Sequence, residues 1–166
     1  MFKNQNACDL RASRYNNSDH LSAILYSYEG DATGHGLIMN SSYSITDLMY
    51  PPKLILNFNM HELNIIEEGK TALAIMGRAE FVDVSELGVG QEAGWVSNVG
   101  FREFDIATGQ TKFEWWALDH VPLSASSVKI NNLDGPHPIG WNYLYAPLKQ
   151  IIAVYKLTRE INVLVI

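Results

Sequence analysis

The side chains best suited to chemistry are five histidines: His20, His35, His61, His120 and His137. An imidazole can move a proton near neutral pH or attack as a neutral nucleophile. His35 stands between Gly34 and Gly36, and glycines allow close backbone approach, so it reads either as part of a ligand-facing loop or as an ordinary turn. His61 opens "HELNII", directly before Glu62, and reads as a strand-end imidazole, functional or structurally satisfied. His120 follows Asp119 in "DHVPLS". The neighbouring carboxylate could fix its tautomer, yet residues i and i+1 of a strand face apart. The stretch also reads as a loop in which Asp119 bonds backbone amides. Arg78 follows "TALAIMG" and reads as an anion clamp or as a solvated arginine. His20, in a polar stretch, and His137, between prolines in "GPHPIG", suggest no chemistry. Asp105 and Thr108 in "DIATG" read as turn formers rather than metal ligands.

The elements that position these residues read as β-hairpins. "HGLIMNSSYSITDLM" is two short strands around "NSS", "HELNIIEEGKTALAIMG" two around "EEGK", and "VGFREFDIATGQTKFEWW" two around "ATGQ". "IIAVYKLTREINVLVI" is two more around "TRE", and "LSAILYSYEG" is a further β-rich run. Each hairpin has β-favouring flanks and a polar or glycine turn. No stretch keeps a 3.6-residue period, and "YPPKLI" and "SELGVGQEAG" carry helix breakers. The expectation is an all-β fold of antiparallel four-stranded blades, at roughly 40 residues or more per blade, with a β-sandwich as the rival architecture. Residues 1–20 read as an irregular leader and residues 21–166 as the propeller-like domain. At this length only about three or four blades are possible. The terminal "INVLVI" reads as a strand that closes a ring by pairing with the first blade, the alternative being that the chain is a piece of a larger ring.

Composition narrows the partners. The 166 residues are 47% hydrophobic and 18% charged, a globular balance. The formal net charge is -6 without a basic run, which argues against nucleic acid. Cys8 is the sole cysteine, so no intrachain disulfide can form. The first 20 residues lack the apolar core of a signal peptide, and no segment approaches the ~18 apolar residues of a spanning helix.

"GHGLIMNSSYSITDLM", "HELNIIEEGKTALAIMG" and "GWVSNVGFREFDIATGQTKFEWWALDHVPLS" together resemble, in order and spacing, the arylsulfotransferase family of β-propeller proteins. The resemblance covers roughly Leu21 to Ser127, and its most specific part is the hairpin ending in "FEWW" followed by "DHVPLS". Full members are considerably longer. The resemblance implies sulfuryl transfer from an aryl sulfate to a phenol without a nucleotide donor, through a transiently sulfated histidine. It implies His61, His35 and His120 as catalytic candidates, and Arg78 and Tyr145 as substrate-binding candidates. It implies no cofactor and no metal, a small aromatic sulfate or phenol as ligand, and a secreted or extracytoplasmic setting. Trp95, Trp115, Trp116 and Trp141 read as blade core rather than as a stacking platform.

The sequence departs from the family beyond Gly140. On one alignment Tyr145 stands where a histidine is expected. On the other, "LKQ" with Lys149 replaces an arginine–histidine pair. Either way a histidine is lost, and a tyrosine with pKa near ~10 does not replace it as sulfur acceptor. Two readings of different class follow: an arylsulfotransferase-like enzyme of impaired activity, or a non-catalytic propeller fragment acting as a binding or interaction module. Exposed sheet edges would then favour self-association. The expected blade core is Ile65, Leu73, Ile75, Phe101, Phe104, Ile106, Phe113 and Trp115.

Overall fold

The computed structural model describes residues 6–26, 34–49, 57–88 and 92–125. These residues form eight strands: β1 (Asn6–Tyr15), β2 (Ser18–Tyr26), β3 (Gly34–Met39), β4 (Ile45–Met49), β5 (Asn57–Ile66), β6 (Thr71–Asp83), β7 (Ala93–Asp105) and β8 (Thr111–Trp116). They make two four-stranded antiparallel sheets, sheet A in the order β1-β2-β3-β4 and sheet B in the order β5-β6-β7-β8. Among the described residues the only helical pieces are three-residue 3-10 turns. The all-β expectation is met, and the three hairpins expected before residue 117 fall where their turns were read. The hairpin over 151–166 lies outside the described residues.

The chain divides into two compact units. The first is Met1–Gly77 with Phe101–Glu114, the second Arg78–Gly100 with Trp115–Ile166. β6 and β7 each contribute residues to both units.

The leader is the clearest correction. Far from irregular, it supplies β1 and the start of β2, paired from Asn6↔Tyr26 to Tyr15↔Ser18. The turn between them uses Asn16 (φ 49°) and Asn17 (φ 61°), both left-handed, as a two-residue hairpin turn of the primed kind requires. Asparagine tolerates this region better than other side chains. The polar composition that suggests a leader is that of a half-exposed edge strand: along β1 no residue is fully buried.

In the first unit, Ala23, Ile24, Leu37, Ile38 and Met49 of sheet A are buried, and β5 lies across β1, β2 and β3. Gly36 sits at this contact. A β-carbon there would come within 2.8 Å of Met49 Cε and 2.9 Å of Leu63 Cδ2. The glycine therefore admits core side chains. Of the expected core, Leu73, Ile75, Phe101, Phe104 and Trp115 are buried, whereas Ile65, Ile106 and Phe113 are half-buried.

Three strands at sheet edges carry irregularities. β1 gains a residue between Cys8 and Arg11, β4 between its partners of Ile38 and Met39, and β5 is bulged between Phe58 and Leu63. Thr46, the extra residue of β4, donates its hydroxyl to Ile38 O at 3.2 Å. Bulges interrupt the flat ladder that an intruding strand would copy, and natural sheets use them to blunt edges.

Candidate functional site

His61 falls inside the bulge of β5. It is exposed, its backbone N–H donates to Asn59 Oδ1 at 3.1 Å, and its Nδ1 lies 2.5 Å from the same oxygen. An amide oxygen only accepts, so Nδ1 carries the proton in this bond. The bulge that re-aims the strand thus also fixes the ring. His35 is a half-buried residue of β3, paired opposite Leu25 of β2, and stands in a regular ladder rather than a loop. Both belong to the first unit.

Arg78 and His120 belong to the second unit, and each lies against a tryptophan. The Arg78 guanidinium carbon is 4.2 Å from the centre of the Trp116 ring, and its Nε donates to Glu80 Oε1. Glu80 accepts a second bond from Asn98 Nδ2 at 2.7 Å, and Asn98 Oδ1 accepts from the Leu118 N–H at 3.2 Å. Asn98 is fully buried, so this chain of bonds satisfies an amide that would otherwise be costly. Arg78 keeps one third of its side chain exposed. It is part of a structural network, with its charge balanced by Glu80 and its face covering an indole.

Gly100 is what lets Trp116 lie there. A β-carbon on Gly100 would run into the Trp115 carbonyl oxygen and come within 2.7 Å of Trp116 Cε3. The indole thus rests on bare backbone of β7.

His120 is exposed and stacks on Trp115, with ring centres 5.3 Å apart and planes 8° from parallel. Trp115 and Trp116 are consecutive in a strand and face opposite sides, so His120 and Arg78 engage opposite faces of β8. The "DHVPLS" stretch is a loop, as one reading held, but its closure is different. His120 N and Val121 N both donate to Ala117 O, at 3.1 and 2.9 Å, while the Asp119 side chain is exposed. Glu86 anchors the loop from outside, accepting from Ser124 N at 3.2 Å and Ser124 Oγ at 3.4 Å.

Tyr145, Lys149, Trp141 and His137 lie outside the described residues. Asp105 and Thr108 are turn formers: Thr108 N and Oγ1 donate to Asp105 Oδ1 at 2.8 and 2.9 Å. These bonds, with Lys112 adding a smaller attraction, hold the Asp105 carboxyl below its ordinary pKa. Among the described residues no group of three His, Cys, Asp or Glu is placed to hold a metal ion. No helix there is long and apolar enough to cross a membrane.

Sequence reasoning missed a second polar cluster, in the first unit. Asp9, at φ 52° in the bulge of β1, accepts from Arg11 Nε at 2.6 Å and from the Leu63 N–H at 2.7 Å. Arg11 reaches on to Asn64 Oδ1 at 2.9 Å and to Glu62 Oε1 at 3.8 Å. Asn64 Nδ2 closes the set on Glu62 Oε1 at 2.8 Å. Two bulges on strands far apart in sequence are stapled here by one another's backbone and side chains. Nothing local in "CDLR" or "HELN" signals the pairing.

The chain has no significant match to a protein-family model, a curated protein or a solved structure.

Proposed function

We propose that this chain is an arylsulfotransferase-like propeller module that binds or associates rather than transfers sulfuryl groups. Two consecutive four-stranded antiparallel sheets, each in chain order, suit the blades of such a propeller. One observation carries the non-catalytic reading. Arg78, the cation best suited to hold a sulfuryl group, is committed to Glu80 and Trp116. A site for sulfuryl transfer needs uncommitted positive or donor groups around the oxygens of the transferred group. The polar neighbours of Arg78 serve a buried amide instead. Binding of a small aromatic sulfate or phenol would then be weak and would rest on stacking and residual charge.

The test is release of nitrophenolate from 4-nitrophenyl sulfate by the full chain, followed by absorbance with and without phenol. The expected result is no phenol-dependent release. Loss of the nucleophilic route removes several powers of ten in rate. Phenol-dependent release that disappears in His61→Ala would overturn the proposal and make His61 the nucleophile.

A further inference from the structure

Both hairpin turns at one end of sheet A carry the same three-residue pattern. The β1–β2 turn reads Asn16-Asn17-Ser18 and the β3–β4 turn reads Asn40-Ser41-Ser42. An asparagine followed two places on by a serine, with no intervening proline, is the acceptor pattern for N-linked oligosaccharide. In an up-and-down antiparallel sheet, the first and third turns lie at the same end. The pairings Tyr15↔Ser18 and Leu21↔Met39 place the first turn about three residues, or ~10 Å, further out.

We propose that Asn16 and Asn40 are N-glycosylation sites, used when the chain passes through the endoplasmic reticulum, and that this end of sheet A carries glycan. Asn16, Asn17, Ser18, Ser41 and Ser42 are exposed and Asn40 is half-exposed. Attached sugar therefore extends into solvent without displacing core. Asn40 uses only its oxygen in the turn, with Oδ1 accepting from Ser42 N and Ser44 N, each at 3.0 Å. Glycosylation takes place at the nitrogen, so the folded turn survives it. In the reaction Nδ2 bonds the anomeric carbon of a lipid-pyrophosphate-linked oligosaccharide. The bond from that carbon to the pyrophosphate oxygen breaks, the lipid pyrophosphate leaves with the electron pair, and the amide gives up one proton.

The inference is independent of sulfuryl chemistry, and its experiment reads sugar alone. The full chain is expressed behind a secretory leader in a eukaryotic host. Protein is recovered from both medium and microsomes. An amidase that releases N-glycans converts each modified asparagine to aspartate, which peptide mass spectrometry localises. Conversion at Asn16 and Asn40 is expected, with collapse of the gel ladder to one band. Asn16→Gln and Ser18→Ala should each remove one step, and Asn40→Gln and Ser42→Ala the other. Ser42→Ala retains both backbone bonds to Asn40, so it separates loss of the acceptor pattern from loss of the turn. Unconverted asparagine at either position overturns the assignment there. So does a step that survives removal of its serine hydroxyl.

Discussion

Gly36 in sheet A and Gly100 in sheet B answer the same demand with different neighbours. Each occupies a strand where something must come closer than a β-carbon allows. At Gly36 the obstacles are Met49 Cε and Leu63 Cδ2, the outer ends of two aliphatic side chains. At Gly100 they are a backbone carbonyl oxygen and the fused rings of an indole. Side-chain ends can rotate away, whereas a carbonyl in a paired strand cannot move without breaking its ladder. The close approach in sheet A is therefore adjustable and the one in sheet B is fixed. The polar networks differ in the same sense. Asp9, Arg11, Glu62 and Asn64 join strands of two sheets, while Arg78, Glu80 and Asn98 act within one sheet around Trp116.

The sharpest test of this contrast is a pair of alanine substitutions followed by denaturant unfolding. Gly100→Ala is expected to cost about 3 kcal/mol or more, with Trp116 fluorescence altered as the indole is displaced. Gly36→Ala is expected to cost about 1–2 kcal/mol, since Met49 and Leu63 can repack. Equal losses would show that both contacts are equally rigid and would break the comparison.

A smaller effect should come from Tyr15, whose hydroxyl donates to Asp47 Oδ2 at 2.5 Å from the far side of sheet A. Asp47 raises the Tyr15 pKa, chiefly through this bond, with burial and the carboxylate charge adding to it. The folded state therefore favours the neutral phenol. Its stabilisation is complete below the unfolded pKa of ~10 and is lost as pH rises through the folded value. Tyr15→Phe should cost about 1 kcal/mol near neutrality and flatten the alkaline limb of the stability profile. An unchanged limb would mean that Tyr15 does not couple the two edges of sheet A.

The smallest effect is expected at the β7–β8 turn. Asp105 is lowered by its bonds from Thr108, so its contribution is present above the unfolded pKa of ~3.9 and is lost as pH falls through the folded value. Asp105→Asn should lower stability slightly at pH 7 and remove the further loss that the wild type shows below pH ~4. Acid unfolding profiles of the two proteins check this. A large loss at neutral pH would show that the turn supports sheet B more than its exposure implies.

Legibility followed the range of the interactions. The "ATGQ" turn was readable because Asp105, Thr108 and Gly109, at φ 69°, satisfy one another within five residues. "EEGK" was readable for a similar reason, although Gly69 also leaves room for Tyr15, whose Cα would lie 2.8 Å from a β-carbon there. β1 was not readable as a strand from its polar composition, since its inward face is filled by Arg11, Ser13 and Tyr15 rather than by aliphatic residues. Its "NNS" turn was the available signal. The ligand-facing reading of Gly34-His35-Gly36 rested on glycine alone, and glycine cannot tell a ligand from a neighbouring strand.

By itself the sequence determined the all-β class, the three hairpins with their turns, and five of the eight core positions expected from alternation, Leu73, Ile75, Phe101, Phe104 and Trp115. Those follow from alternation and from backbone preferences that act over a few residues. The tertiary structure alone decided the commitments of the polar side chains. It joined Asp9 to the Leu63 amide across 54 positions, set Arg78 on Trp116 over a bare Gly100, and laid His120 on Trp115. Each of these depends on which strands come to lie side by side and at what register. A shift of one residue would turn every such side chain to the other face.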